Sequence, residues 1–369
     1  MACIVKAEIL MVNLVPKVTR TDAIQSFVSQ ETPIVRLTDS DGQVGTGYSY
    51  TIGSGGPAVI SLLRETLLPR LIGREAEEIE GIWRDLLFAT HATAVGAITS
   101  LSLAAIDTAL WDLRCIRAGL PLWRMAGGTK SSVPLYSTEG GWLHITAKDL
   151  VADALEMQKR GFIGSKIKIG KPTLAEDRAR LKAVREAVGA DYQILVDANQ
   201  SFTLAEARRR ADMLAEFDIG WFEEPMPADD VGAHVQLTAA SPVPIAVGES
   251  MYSASQFKDY LAMGGCTIVQ ADVARVGGIT PWLKIAHMAE AFNVAICPHF
   301  LMELHVSLTC AVPNAPMLEY IPQLDDITTS RLNIHDGFAM APSAPGLGIA
   351  WDWDAITARA LAGLSTTIE

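Results

Sequence analysis

The chain has 369 residues, 49% of them hydrophobic and 20% charged, with a formal net charge of −12. It can bury a large core, and with no Lys/Arg block it argues against a nucleic-acid or anionic-membrane partner while leaving room for a local anion pocket. Five scattered cysteines (Cys3, Cys115, Cys266, Cys297 and Cys310) form no C-x-x-C pair, which speaks against a disulfide framework and suits a reducing cytoplasm.

The opening segment "MACIVKAEILMVNLVPK" alternates like a strand and lacks the apolar stretch of a signal peptide. No later run is long enough to span a membrane. "PIVRLTDSDGQVGTGYSY" alternates on both sides of Asp-Ser-Asp-Gly, a hairpin signal. The glycine-rich "GTGYSYTIGSGG" has no helix directly behind it and reads as a mobile loop rather than a phosphate cradle. Helical patterns follow near residues 57–72, 76–90 and 95–118, which makes the first part α+β.

From Val133 onward, short apolar runs alternate with helical segments: "VPLYST", "SKIKIG", "QILVDAN", "IGWFEEP", "PIAVGES", "CTIVQAD", "VAICPHF" and "MLEYI". Eight strands with intervening helices are the pattern of a (β/α)8-type barrel. A doubly wound sheet competes, but it would carry a Gly-rich fingerprint after its first strand. The chain then runs through "DGFAMAPSAPGLGIAWDWD" to a short terminal helix.

Barrel chemistry sits at the C-terminal ends of the strands. Here those ends carry Lys166 and Lys168, Asp197, Glu223 and Glu224, Glu249, Asp272, His299 and Glu319 in strand order. One charge at a strand end is ordinarily solvated or caps the next helix. A run of consecutive strands doing so at one rim describes a site, because buried charges must be paired or bound to metal. Asp197, Glu223 and Glu249 are oxygen donors on adjacent strands and suit Mg²⁺ better than zinc. Strand alternation turns Glu223 inward and leaves Glu224 behind it.

Lys166 and Lys168 point to the same side. A neighbouring ammonium and a divalent cation would both lower the pKa of Lys168 and make it a base, with Lys166 tuning it and contacting a bound carboxylate. Opposite stands His299, which an acid on the adjoining strand, Asp272, would orient. His287 and His305 read as structural. Two bases around Mg²⁺ point to α-proton abstraction from a carboxylate, with donors such as Glu319 on the enolate oxygens.

"KIK", "VDAN", "WFEEP", "GES", "QADVARVGG" and "PHF" together resemble the enolase superfamily, mandelate racemase subgroup, over essentially the whole chain. That resemblance implies a modified (β/α)7β TIM-type barrel under an α+β capping domain. The boundaries it implies are 1–130 for the cap, 131–335 for the barrel and 336–369 for a segment completing the cap. It also implies Mg²⁺ on Asp197, Glu223 and Glu249, bases Lys168 and His299, Asp272 behind His299, and Glu319 toward substrate. Such sites use a Lys or His base with Mg²⁺. "GYSYTIGSGG", "STEGGWLH" and "PHFLMELH" are similar to the acid-sugar dehydratases of the L-talarate/galactarate type. Their glycine-rich loop carries basic residues where this chain has Thr51, Ile52 and Ser54. The muconate-lactonising subgroup places a lysine where Asp272 stands.

The expected function is Mg²⁺-dependent dehydration of a sugar acid to a 2-keto-3-deoxy product. Racemisation or epimerisation of a 2-hydroxy acid is the alternative, and a non-catalytic acid binder is a third reading. Asn199, Gln200, Ser137, Thr138 and Trp142 would bind a polyhydroxy chain, whereas Tyr48, Phe300 and Leu301 would favour an aromatic one. Loops near 15–30 and 48–56 should cover the barrel mouth. A cytoplasmic homo-oligomer, from dimer to octamer, is expected, with no nucleic-acid or membrane partner.

Overall fold

The computed structural model describes residues 2–369. Alternation in Ile4–Leu14 makes β1, which buries Ala7, Ile9 and Met11 on one face; a register shift between Ile4 and Lys6 lets Ile4 join them. A small hairpin, β2 (Arg20–Thr21) and β3 (Ser26–Phe27), precedes a larger one, β4 (Gln30–Asp39) and β5 (Val44–Tyr48). The turn of the larger one is tied by Asp39 Oδ1, which accepts from the Asp41 and Gln43 amides at 2.9 Å each.

Two helices, α1 (Gly56–Leu62) and α3 (Ala97–Ala118), cover this sheet, and α2 (Ile79–Ala89) packs on α3. The pattern at 57–72 does not run as one helix. After α1 it widens into a π turn, Leu63–Leu67, then tightens into a 3-10 turn, Leu68–Arg70, where Pro69 has no amide to continue the ladder. Because α1 starts directly behind the glycine-rich loop, the expectation of no helix there is corrected. Its first amide is already taken: Gly56 N donates to Glu31 Oε2 at 2.8 Å, so an internal carboxylate fills the place an anion would want. On α3 the packing is close enough to require glycine. A Cβ on Gly45 would lie 2.3 Å from Ala109 O, and one on Gly47 2.2 Å from Ala105 O.

A short helix, α4 (Leu122–Met125), leads into the barrel. Its units are β6 (Ser132–Ser137), α5 (Ala147–Lys159), β7 (Gly164–Lys168), α6 (Leu174–Val188), β8 (Gln193–Asp197) and α7 (Leu204–Leu214). Then come β9 (Ile219–Glu223), α8 (Val231–Thr238), β10 (Ile245–Val247), α9 (Ala254–Met263) and β11 (Ile268–Val269). Helix α10 (Ile279–Ala291), β12 (Ala295–Ile296), α11 (Met302–Ala311) and β13 (Leu318–Tyr320) complete it. The strands pair in parallel from β12 back to β6, and β13 pairs with β6: a (β/α)7β barrel. Several helices begin where a side chain accepts an amide of the first turn, namely Thr146, Thr173, Thr203, Asp230 and Ser253. Inward side chains Tyr136, Leu195, Trp221, Ala246, Cys297 and Met317 pack together inside the barrel.

The tail does two jobs. A hairpin of β14 (Ile334–His335) and β15 (Phe338–Met340) adds antiparallel to β6, straddling the 335/336 boundary drawn from sequence. The chain then crosses to the cap through α12 (Trp353–Arg359) and ends in β16 (Thr366–Ile368) along β1. Among the described residues, no helix is long and apolar enough to cross a membrane.

Cap and barrel are tied through α3 and α10. Asp107 on α3, 1% exposed, accepts from Thr280 N at 2.9 Å at the start of α10, while Trp111 Nε1 donates to Thr280 Oγ1 at 2.9 Å. Burial pushes the Asp107 carboxyl up to about 7, against the opposing bonds from Thr280. The folded protein therefore holds a proton that the unfolded chain, with a carboxyl near 3.8, has released. Stability from this group is full below the unfolded value, falls as pH rises, and is lost above about 7. Asp107 Oδ1 has no donor, so Asp107→Asn fits there. The variant should flatten the fall in melting temperature between pH 5 and pH 8, each tenfold difference in proton affinity between folded and unfolded chains being worth about 1.4 kcal/mol. Parallel pH profiles of the two proteins would refute this.

Candidate active site

In the parallel ladder Lys168 is level with Asp197, and Asp197 with Glu223. Three neighbouring strands therefore deliver one ammonium and two carboxylates at the same height, at the end where the strands stop. Lys166 Nζ lies 2.9 Å from both Glu223 Oε1 and Glu319 Oε1 and 3.7 Å from Asp197 Oδ2. Lys168 Nζ bonds Asp197 Oδ2 and stands 5.3 Å over the Trp142 ring. The two lysines are accommodated by carboxylates from β8, β9 and β13.

Asp197, Glu223 and Glu249, all buried, each offer one oxygen within 4.8 Å of the others. Glu249 Oε2 has no hydrogen-bond donor, although His299 Nε2 is 3.3 Å away. An all-oxygen, like-charged, buried set with an orphaned acceptor fits a hard divalent cation. Burial, then Asp197, pushes Glu223 up to about 8. Glu249 goes the other way, to about 2: burial opposes its charge, but His299 and Arg275 outweigh burial.

The lowering of Lys168 expected beside a divalent cation is not the direction in the protein alone. For Lys168 burial and Lys166 work against the charge, but Asp197, Glu249 and Glu223 together outweigh them and the pKa is raised; Lys166 rises further, because the carboxylates around it, Glu223 and Glu319 foremost, overcome its burial. In the protein alone the carboxylates hold both ammonium groups charged. Glu319 also departs from its expected role as a donor. Burial opposes its charge, yet Lys166 and His299 hold it below the usual range. It accepts from Thr138 Oγ1 at 2.6 Å and from Phe300 N at 2.7 Å.

Across the mouth, His299 Nδ1 meets Asp272 Oδ2 at 2.9 Å. Asp272 Oδ1 accepts from the Ala274 and Arg275 amides at 2.8 and 3.2 Å. The carboxyl is lowered because His299 outweighs its burial, and the imidazole is raised because Glu249 and Asp272 outweigh its own. His305 is structural: Nε2 faces Val273 N at 3.1 Å and Nδ1 faces Phe300 O at 3.1 Å, and burial takes it down to about 4. Asn199, Gln200, Glu224, Phe300 and Leu301 all have positive φ, a cluster of strained backbone at the strand ends.

These groups enclose a cavity of about 200 Å³. Lys166, Lys168, Glu249, His299, Glu319, Asn199, Thr138 and Trp142 line it, under a roof of Asp22, Ile24, Gln25, Phe27 and Ile52 from the cap. Both loop regions expected over the mouth are there. Tyr48 is not: its ring packs edge-on against Trp351 at 5.5 Å in the cap, and its hydroxyl has no partner. Tyr50, two residues on, reaches the barrel instead, with its hydroxyl 2.6 Å from Asp272 Oδ2. Sequence reasoning passes over Tyr50 and Arg275, though "GYSY" and "QADVARVGG" contain them. Glu224 lines the cavity as well, rather than standing behind Glu223, and accepts from Ser250 N and Oγ at 3.2 Å.

Comparison with known proteins agrees with this geometry. The N-terminal domain model of mandelate racemase/muconate lactonizing enzyme matches residues 6–127, and an enolase C-terminal domain-like model matches 149–355. The chain is 36% identical over 315 residues to L-talarate/galactarate dehydratase of Salmonella typhimurium, covering 85% of this chain and 79% of that one. It is also 36% identical over 322 residues to 3,6-anhydro-alpha-L-galactonate cycloisomerase of Streptomyces coelicolor, covering 87% and 89%. The Salmonella dehydratase, solved with Mg and L-lyxarohydroxamate, superposes with a TM-score of 0.94 at 31% identity, covering 100% of this chain and 94% of that one. The chain belongs to the mandelate racemase/muconate lactonizing enzyme family, within the enolase superfamily.

Proposed function

We propose that the protein is a Mg²⁺-dependent lyase that removes water from a sugar acid to leave a 2-keto-3-deoxy acid. The observation that carries this reading is the pair of opposed bases, Lys168 and the Asp272-held His299, lining one cavity with Glu249 of the acidic triad. Asp197, Glu223 and Glu249 would hold Mg²⁺, which supplies positive charge to offset the charge that develops on a substrate carboxylate. Relatives solved with Mg and acid-sugar ligands support the assignment.

Lys166 stays charged and turns into the cavity, where it binds and orients the substrate carboxylate. Thr138 and Phe300 N hold Glu319 beside it. Lys168 takes the α-proton at Nζ once its amine is neutral. The C–H pair becomes a C2–C3 double bond and the C3–O bond breaks. His299 gives its Nε2 proton to the departing hydroxyl, which leaves as water, and the resulting enol tautomerises to the keto acid. Asn199 Oδ1, without a donor, is free to accept from a substrate hydroxyl.

The second reading is racemisation or epimerisation, favoured by the apolar roof of Ile24, Phe27 and Ile52. It uses the same two bases without the elimination. We also place the protein in the cytoplasm, a reading supported by five free thiols. Exposed Val15, Val18 and Val28 on the cap support a homo-oligomer, from dimer to octamer.

Chelation should abolish activity and added Mg²⁺ should restore it. In a thermal-shift titration Mg²⁺ should stabilise the protein, and Glu249→Gln should weaken that effect by about tenfold in apparent affinity. Full activity after exhaustive chelation would remove the metal from the reaction.

Lys168→Ala and His299→Asn should each lose exchange of the α-proton on one face, by about 100-fold or more, while sparing the other face. Exchange from D₂O into both C2 epimers of a substrate checks this. Semicarbazide detection of keto acid from galactarate, L-talarate and aldonates separates the two readings. Racemisation of mandelate, with no keto acid from any sugar acid, would establish the racemase instead.

A further inference from the structure

Tyr50 belongs to the cap, yet its hydroxyl ends on the catalytic dyad of the barrel. It donates at 2.6 Å to Asp272 Oδ2, the same oxygen that His299 Nδ1 meets at 2.9 Å. The direction of that bond is fixed by Arg275, whose Nε donates to the Tyr50 oxygen at 3.1 Å. A guanidinium has no acceptor, so the phenol proton must go to Asp272. Arg275 Nη1 also donates to Glu249 O at 2.8 Å, and Glu249 Oε2 faces His299 Nε2 at 3.3 Å. Glu249, Arg275, Tyr50, Asp272 and His299 thus close a ring, in which Tyr50 is the only member from the cap.

The strands alone do little to hold this dyad. β11 and β12 are two residues each, and both Asp272 and His299 lie beyond their ends. The backbone after His299 turns through positive φ at Phe300 and Leu301. Two backbone amides hold Asp272 Oδ1, and the rest is side-chain contact: Phe300 stacks on His299 at 5.3 Å and 13°, and Tyr50 packs on Phe300 at 4.7 Å. Tyr50 is 1% exposed.

We propose that Tyr50 is a positioning residue for His299: its hydroxyl fixes the Asp272 oxygen that receives the imidazole, so the cap sets the aim of one of the two bases. This rests on the two-base reading above. Tyr50→Phe keeps the ring and its packing on Phe300 and removes the hydroxyl with its two bonds, the one it donates to Asp272 and the one it accepts from Arg275. Exchange on the face served by His299 should fall about 10- to 100-fold, as when groups behind a reacting shell are removed. The fall should lie in the rate constant rather than in half-saturation, and exchange on the face served by Lys168 should stay within about twofold. Adding Tyr50→Phe to Asp272→Asn should cost exchange on the His299 face nothing further, because toward His299 the two act through the shared Tyr50–Asp272 bond.

The test uses the Mg²⁺-loaded full chain in D₂O with C2-epimeric pairs: galactarate and L-talarate, galactonate and talonate, arabinonate and ribonate. Tyr48→Phe, whose hydroxyl has no partner, is the control and should change neither face. A one-sided loss in Tyr50→Phe supports the positioning role. Equal losses on both faces, no loss, or additive losses in the double variant overturn it while leaving the two bases in place. If the wild-type protein exchanges neither face of any pair, the two-base reading fails and the positioning role fails with it.

Discussion

Carboxylates crowded around two buried ammonium groups at the strand ends set the terms for everything else in the molecule. When all are ionised, as metal ligands must be, Asp197, Glu223, Glu249 and Glu319 bring four negative charges against two from Lys166 and Lys168. With the imidazole neutral, two charges are left over, and a dication closes that difference. No hydrophobic core would tolerate the cluster unpaired, since an isolated buried charge costs several kcal/mol or more. The barrel answers by holding the strand ends in register, so that each ammonium lies beside a carboxylate. The same proximity that makes the cluster tolerable makes it reactive.

The cap is more than a cover. Its strands pack on α3 and its small hairpin roofs the cavity, while Tyr50 and Asp107 reach across to the barrel. Both crossing groups end on barrel segments adjoining β11, one on the dyad and one at the start of α10. Substrate binding and cap seating are thereby joined through polar contacts set in an apolar core that runs on from cap to barrel.

Most of the site is legible in the sequence because period-two alternation, read against eight apolar runs, assigns each charged residue to a rim. Asp197, Glu223 and Glu249 do converge, as do Asp272 and His299. Where such a reading fails, the cause is local geometry that alternation does not carry. Tyr48 and Tyr50 share a parity, but the strand ends at Tyr48, and only the residue beyond it escapes the cap core. The helix behind the glycine-rich loop is hidden because glycine-rich text reads as coil, while Glu31, far off in sequence, supplies its amide partner. The direction of the lysine shift is hidden too, because repulsion between neighbours in sequence is visible and the surrounding carboxylates, at their actual distances, are not.

The two glycines of β5 bear on all this from a distance. Gly45 and Gly47 let the strand lie with its backbone against Ala109 and Ala105 of α3, at a separation where a methyl group would meet carbonyl oxygen. Tyr50 hangs from the end of that strand. The depth at which its hydroxyl enters the barrel is therefore metered by two missing methyl groups on the far side of the sheet. A carbon added there would back the strand away from the helix and withdraw the phenol with it, so the reach of one oxygen is written in residues that touch nothing in the site.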